Sequence, residues 1–297
     1  MKSEEKIKIS VIYITKDRKQ ELLRSIESCI KVKIDSMEII IVDNASLENI
    51  GDEVGKLLNN AHIRFKYFYL NDNLGVSGGR NFAFSECIGK YVISLDDDSV
   101  ISTDDFFNKI YIRMEENPGI SAAALRIYEE VSDRYLEGVC FKKKNYSETQ
   151  MYSYIGAGYV LRRKDFRDCK LYPERLMFGS EELYVALKIH KDKKILAYFD
   201  NIHILHLPSK INRVESDQRK MNVLVNTYLI RKYYYPKIFY PILYTIFVLR
   251  ILKHKLLKYR SILKSMIQER YQPECMRTMN FGEFLWNFTR ISPRYLF

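Results

Sequence analysis

The sequence predicts an α/β fold, a Rossmann-like, mostly parallel, doubly wound sheet with a helical extension at its C-terminal side. Strand-like runs alternate with helical patterns along the first hundred residues, the chain order of βαβ units and hence of parallel pairing. Asp43, Asn73 and Asp96 fall at the carboxyl ends of predicted strands, at the edge where ligands of open α/β sheets collect. The last third is set apart by charge. From Lys210 to Phe297 there are 17 Lys and Arg against 5 Asp and Glu, net +12, while residues 1 to 209 hold 31 against 32.

Element by element, KIKISVIYIT alternates and is rich in β-branched residues, which predicts the first strand. Leu22, Leu23, Ile26, Cys29 and Ile30 then fall at helical spacing, and MEIIIVD reads as a short, fully apolar strand. A helical pattern from Ile50 to Leu58 precedes the strand IRFKYFYL. NLGVSGGRN, residues 73 to 81, reads as a glycine-rich turn leading into a helix over Phe82 to Ile88, after which KYVISL is the fourth strand. Beyond residue 120 the pattern is mixed, with strand-like SAAALRIY, IGAGYVLRR and KILAYF and a helical EELYVALKIHK. From about Glu215 the chain reads helical, with Met221, Leu224, Val225, Tyr228 and Leu229 on one face. A second helical piece, PKIFYPILYTIFVLRILKHKLLKYR, follows a Tyr-Tyr-Tyr-Pro break.

Composition excludes several classes. With 297 residues, 47% hydrophobic and 29% charged, the chain can bury a core and is not a disordered segment. MKSEEKIKIS lacks the apolar centre of a secretory signal, so a cytoplasmic setting is expected. Cys29, Cys87, Cys140, Cys169 and Cys275 form no CxxC pair and read as scattered thiols, neither disulfide frame nor zinc site. The twelve uncharged residues from Ile238 to Leu249 are too few for a membrane span, which needs about twenty. Two readings of this basic, apolar tail stay open: an interfacial helix on an anionic membrane surface, or packing on the rest of the protein or on a second copy. The net charge of +11 and 23 tyrosines also keep a nucleic-acid-binding protein as the alternative function. That alternative leaves the acidic motif below without a purpose, so nucleic acid is not expected as a partner.

YVISLDDDSV sets Asp96, Asp97 and Asp98 at the end of an apolar strand. Hard carboxylate oxygens there suit Mn²⁺ or Mg²⁺, whose charge would offset their repulsion. Gly75, Gly78 and Gly79 permit close backbone approach to a ligand beside a helix start that attracts anions. The GxxxxGK[ST] spacing of a P-loop is missing, and the GAG at 156 to 158 does not extend to GxGxxG. FGSEEL places Glu181 and Glu182 at a predicted helix N-terminus, where the dipole favours carboxylates with or without catalysis. NIHILHLPS offers two imidazoles, His203 and His206, as further metal ligands.

VIYITKDR, IVDNAS, NDNLGVSGGRN, VISLDDDSV, IGAGYVLRR and FGSEEL together resemble family 2 glycosyltransferases of GT-A fold, most closely the rhamnosyltransferase-like branch, over roughly residues 7 to 210. The resemblance implies a catalytic domain over residues 1–210, with nucleotide-sugar binding in 1–100 and the acceptor and catalytic half in 101–210; the basic, aromatic-rich helical region over 211–297 rests on its own spacing and composition. The resemblance also implies that Thr15 and Arg18 lie near the nucleobase, that Asp43 bonds the base or ribose, and that Asn73, Gly75, Gly79 and Asn81 line the donor. Asp96 would contact ribose and metal, Asp97 would face the donor, and Asp98 would be the principal metal ligand, with His206 fitting the family's downstream histidine better than His203. Glu182 falls on the position of the catalytic base, with Glu181 its substitute. Two departures are that Ser180 stands where the family has glycine and that Glu replaces Asp at the base. The implied activity is inverting transfer of a hexosyl or deoxyhexosyl unit, from a UDP- or dTDP-sugar, to a glycan, lipid-linked or small-molecule acceptor in polysaccharide or glycolipid biosynthesis. A site on the inner face of the cell membrane and a homo-oligomer through the C-terminal helices are the accompanying expectations.

Overall fold

A computed structural model describes residues 7–136, 138–140, 150–167, 170–176, 178–209, 216–272 and 277–290. The first half runs β1 (Ile9–Thr15), α1 (Lys19–Lys31), β2 (Met37–Asp43), α2 (Gly51–Asn60), β3 (Arg64–Tyr69), α3 (Gly75–Glu86) and β4 (Tyr91–Asp96). These strands pair in parallel in the order β3-β2-β1-β4. The chain therefore steps outward from β1 to β3 and returns through α3 to the other side of β1, which creates a topological switch point at the strand ends. Thr15 pairs with Asp43, and Ile14 with Asp96, so the polar ends of three strands share one edge.

Parallel pairing does not continue uniformly. The second half contains β5 (Ser99–Ile101), α4 (Phe106–Glu116), β6 (Ile120–Glu129), β7 (Arg134–Leu136), β8 (Gly158–Arg162), α5 (Glu181–Lys191) and β9 (Ile195–His206). The sheet extends as β4-β8-β6-β9-β5, with β8 antiparallel to both neighbours, β6 and β9 parallel, β5 antiparallel to β9, and β7 antiparallel to β6. Alternate residues of β1 serve opposite faces, as strand geometry requires. Ile9, Val11 and Tyr13 pack with Leu22 and Ile26 of α1, Val54 of α2 and Ile110 of α4, while Ile12 packs with Ala83 of α3 and Val185 and Ile189 of α5.

Four helices follow, α6 (Ser216–Tyr234), α7 (Tyr240–Lys253), α8 (Arg260–Arg270) and α9 (Phe281–Phe288). They build a third core that includes Tyr184 and Leu187 of α5, so α5 is sandwiched between sheet and extension. The boundary expected at residue 210 lies outside the described residues, as do Cys169 and Cys275; Cys29 and Cys87 are buried free thiols. Among the described residues no helix is long and apolar enough to cross a membrane.

Two local expectations are corrected. The glycine-rich stretch is not a turn before a helix, because α3 already begins at Gly75, whose φ of +69° opens it. The glycines serve packing: a Cβ at Gly79 would stand 2.8 Å from Ile14 Cγ2, and one at Gly78 would stand 2.7 Å from Leu74 Cβ. The second C-terminal piece is also not continuous. It stops at Lys253, with Lys255 left-handed at φ +56°, before α8 begins at Arg260. The start of α9 carries a capping box between Asn280 and Glu283, a signal present in NFGE that side-chain periodicity does not reveal.

Candidate active site

Asp96 closes β4, and Asp97 and Asp98 form the two-residue turn into β5. Each acid has its own compensating group. Asp96 Oδ1 receives Arg80 Nη2 at 2.8 Å. Asp97 accepts the Thr15 hydroxyl at 2.8 Å and Arg18 Nη1 at 3.0 Å. Asp98 Oδ2 accepts the Ser209 amide at 3.1 Å and lies 3.6 Å from Arg18 Nη1. The three charges are thus each met by protein groups, beside the cation expected to offset their repulsion. Burial lifts the Asp97 pKa to about 7, aided by Asp98 and Asp96 and opposed by Arg18. Burial pulls Asp98 the same way, but His206, the Ser209 amide and Arg18 outweigh it and hold its carboxyl below the ordinary value.

His206 is delivered by strand register. It pairs with Ser99 across β5 and with Glu129 across β6, which brings Nε2 to 3.3 Å from Asp98 Oδ1 and Nδ1 to 3.4 Å from Glu129 Oε1. Burial disfavours the imidazolium, yet the Asp98 carboxylate, with Asp96 and Glu129, raises the His206 pKa. Donor atoms of Asp96, Asp98 and His206 all lie within 4.8 Å of one another. Asp98 Oδ1 is buried without a hydrogen bond, so a donor set of two carboxylates and one imidazole, with a lone pair held ready, fits a divalent cation. A carboxylate on the far nitrogen of a ligating histidine is the usual outer partner of such sites, and Glu129 holds that position. His203 is not part of the group: its Nε2 lies 3.1 Å from the Asp200 carbonyl.

The acidic pair faces the same place from the opposite side. Ser180 precedes α5 in the left-handed conformation, φ +66°, which a glycine adopts freely and a serine at some cost. Its hydroxyl lies 3.0 Å from that of Thr227 on α6. Arg80, only 4% exposed, puts Nη1 at 3.4 Å from Glu181 Oε1 and 3.7 Å from Glu182 Oε1 while its other nitrogen holds Asp96 and the Gly156 carbonyl. Burial, then the neighbouring Glu181 charge, pushes the Glu182 pKa well up against the pull of Arg80. Glu182 lies directly over Gly156, where a Cβ would come within 1.9 Å of Oε1. The GAG stretch, which fits no phosphate motif, therefore makes room for the acid.

The donor-side residues are arranged less openly than expected. Asp43 is fully buried, its oxygens accepting the Ser46 amide at 2.8 Å and the Tyr67 hydroxyl at 2.8 Å. Asn81 clamps the backbone of Tyr172 with both ends of its amide, at 2.8 and 2.9 Å, and so braces a loop. Thr15 and Arg18 turn to Asp97. Asn73 caps Gly75 locally at 2.9 Å and is exposed. Asn44, not singled out from the sequence, joins the β2 exit to the start of α3, accepting from the Leu74 amide at 3.0 Å and donating to the Gly75 carbonyl at 2.9 Å. Arg80 and Gly156 were likewise missed; the only hint for Arg80 was its place in SGGRN beside glycines that let the helix approach the sheet.

Comparison with known proteins bears on the family and the fold. Residues 10–169 match the model of glycosyl transferase family 2. An uncharacterised protein of Haemophilus influenzae is 30% identical over 162 residues, 52% of this chain and 88% of its own length. The Escherichia coli UDP-Glc:alpha-D-GlcNAc-diphosphoundecaprenol beta-1,3-glucosyltransferase WfaP is 26% identical over 129 residues, 43% of this chain and 47% of that protein. Among solved structures, GalNAc-T7 with UDP, GalNAc and Mn²⁺ superposes with a TM-score of 0.63 at 15% identity, covering 79% of this chain and 49% of that one. Residues 1–349 of S. aureus TarS with UDP-GlcNAc give 0.59 at 14% identity, covering 75% and 66%. The chain spans most of the Haemophilus protein but about half of the E. coli enzyme and of GalNAc-T7.

Proposed function

From its place in glycosyl transferase family 2, to which this chain belongs, we propose that it is an inverting, metal-dependent enzyme moving a hexosyl or deoxyhexosyl unit from a nucleoside diphosphate sugar to an acceptor hydroxyl. One observation carries the reading. Arg80 ties the Asp96 end of the Asp96, Asp98 and His206 donor set to Glu181 and Glu182, so a leaving-group side and a proton-accepting side meet across one buried guanidinium. Asp96, Asp98 and His206 would hold Mn²⁺ or Mg²⁺, which supplies charge stabilisation for a departing diphosphate. Glu182 takes the acceptor's proton, and its raised proton affinity suits a base working near neutral pH. Arg80 orients that carboxylate and keeps the pair of acids from repelling each other out of the site.

UDP and dTDP sugars are the donors proposed, the first supported by the UDP-bound neighbours of the same fold. A lipid-linked acceptor is favoured by the E. coli relative, whose name specifies a diphosphoundecaprenol substrate. We assign catalysis to residues 1–210 and a supporting and docking role to residues 211–297, with the enzyme working in the cytoplasm at a membrane. Calorimetric titration with UDP- and dTDP-sugars in the presence and absence of Mn²⁺ tests the assignment. Asp98→Ala is expected to weaken metal-dependent donor binding about tenfold or more. Glu182→Gln is expected to bind donor normally and to turn over roughly a hundredfold more slowly. Metal-dependent binding unchanged in Asp98→Ala, or normal turnover in Glu182→Gln, overturns the roles of these two carboxylates.

A further inference from the structure

The outer side of α7 belongs to no core. Leu243 and Phe247 turn inward, Phe247 stacking on Tyr228 of α6 with ring centroids 4.8 Å apart. That packing accounts for one side of the helix. On the other side Ile242, Thr245, Leu249 and Leu252 recur at the spacing of a single helical stripe. Leu249 is 57% exposed and Leu252 51%, with Ile238, 73% exposed, just ahead of the helix. A lone exposed leucine is ordinary on a protein surface, but a row of them marks a contact site.

Charge identifies what is contacted. From Pro236 to Gln268 there are seven Lys or Arg and no Asp or Glu. Lys253, Lys255, Lys258, Arg260 and Lys264 follow the stripe and are all exposed. An aliphatic row bordered by cations, in a segment that carries no acid of its own although Asp217 of α6 lies 3.9 Å from Lys258 Nζ, matches a surface that is anionic above and apolar beneath, which is a bilayer with acidic headgroups. The helix has 14 residues and is about 21 Å long, short of the roughly 30 Å of a hydrocarbon core. It can lie along such a surface and cannot cross it.

We propose that α7 and the corner leading to α8 form a peripheral docking face for an anionic lipid bilayer, with Ile242, Leu249 and Leu252 entering the acyl boundary and Lys253, Lys255 and Lys258 meeting the headgroups. Docking needs neither donor nor metal, so it can be read without any transfer activity.

Co-sedimentation of the full chain with vesicles tests it, using phosphatidylcholine alone and phosphatidylcholine mixed with phosphatidylglycerol. Binding is expected to the mixed vesicles, to fall about tenfold or more from low to high salt, and to be far weaker on phosphatidylcholine alone. Leu249→Ser/Leu252→Ser should reduce binding by roughly tenfold or more with an unchanged melting transition, because both side chains are exposed. Lys253→Glu/Lys255→Glu should remove the preference for phosphatidylglycerol. The proposal is overturned if wild-type chain ignores the mixed vesicles, or if binding is indifferent to both double variants. It is equally overturned if the leucine variant abolishes self-association in a chain that binds no vesicle, which assigns the face to a second copy, or if the chain binds single-stranded DNA and no vesicle.

Discussion

Arg80 sits among three carboxylates with 4% of its side chain exposed, and the site's electrostatics turn on it. Removing one partner from a buried ionic cluster leaves charges that have lost both water and counter-charge, which is costlier than the pair was ever worth. Arg80→Gln is therefore expected to destabilise the fold by about 3 kcal/mol in urea unfolding. Adding Glu181→Gln, whose Oε2 is already without a hydrogen bond, should restore part of that loss by deleting one orphaned charge. Additive losses in the double variant would falsify the coupling. In the sequence the acids announced themselves through their spacing, whereas Arg80 read as one residue of a glycine-rich turn. Its burial depends on Gly79 letting α3 settle against Ile14, a contact between segments 65 residues apart that no local pattern encodes.

At the scale of elements, the loop before α5 is held by α6. Asn226 Nδ2 approaches the carbonyls of Leu176, Phe178 and Gly179 at 2.9, 2.9 and 2.7 Å. Arg270 of α8 in turn donates to Asn226 Oδ1 at 2.9 Å and to Asn222 Oδ1 at 2.8 Å. Two helices of the extension thus set the entry angle of Glu181 and Glu182. Asn226→Ala should cost about 2 kcal/mol of stability by taking a side-chain donor from these carbonyls. It should also lower kcat while leaving the KM for donor near its original value, since the donor-side strands are untouched. A steady-state comparison with wild type checks this, and an unchanged kcat would limit Asn226 to a purely structural part. The helical face of α6 was legible from Leu224, Val225 and Leu229; that Asn226, between them in sequence, would grip the acidic loop was not.

At the scale of the whole molecule, α5 joins two cores and carries a buried histidine at the seam. His190 stacks on Tyr152 with centroids 5.3 Å apart, and its Nε2 lies 2.9 Å from the Tyr152 carbonyl. Burial lowers its pKa to about 4, with the Arg290 charge adding to the effect and the carbonyl opposing it. The unfolded chain protonates this side chain near its ordinary value of about 6.5, so between the two values it binds the extra proton and the native state does not. Stability contributed by His190 is complete above about pH 6.5 and is lost as pH falls toward 4, a change of about 3 kcal/mol. Asp97 and Glu182, whose pKa values are raised, bias the total in the opposite direction, so the measurement is a difference. Urea unfolding of wild type against His190→Gln across this range should show wild type losing its relative advantage as pH falls. A constant difference from pH 7 to 4 would remove His190 from the account.

By itself the sequence determined the alternating first half, the acids at the strand ends, the acidic pair at the head of α5 and the basic charge of the extension. Those features are local: side-chain period, turn residues and charge runs act over a few neighbours, and the backbone obeys them wherever it goes. Tertiary structure gave the physical reason that His206, the histidine the resemblance favoured, and not His203 meets Asp98: pairing with Ser99 and Glu129 fixes which residue of β9 stands at the sheet's end. It also decided that Arg80 links Asp96 to Glu181 and Glu182, and that α7 covers a core with one side and leaves the other bare. Each of these is a contact across dozens of residues, set by strand register and helix packing, and short-range pattern carries no information about the distance between ends that only folding brings together.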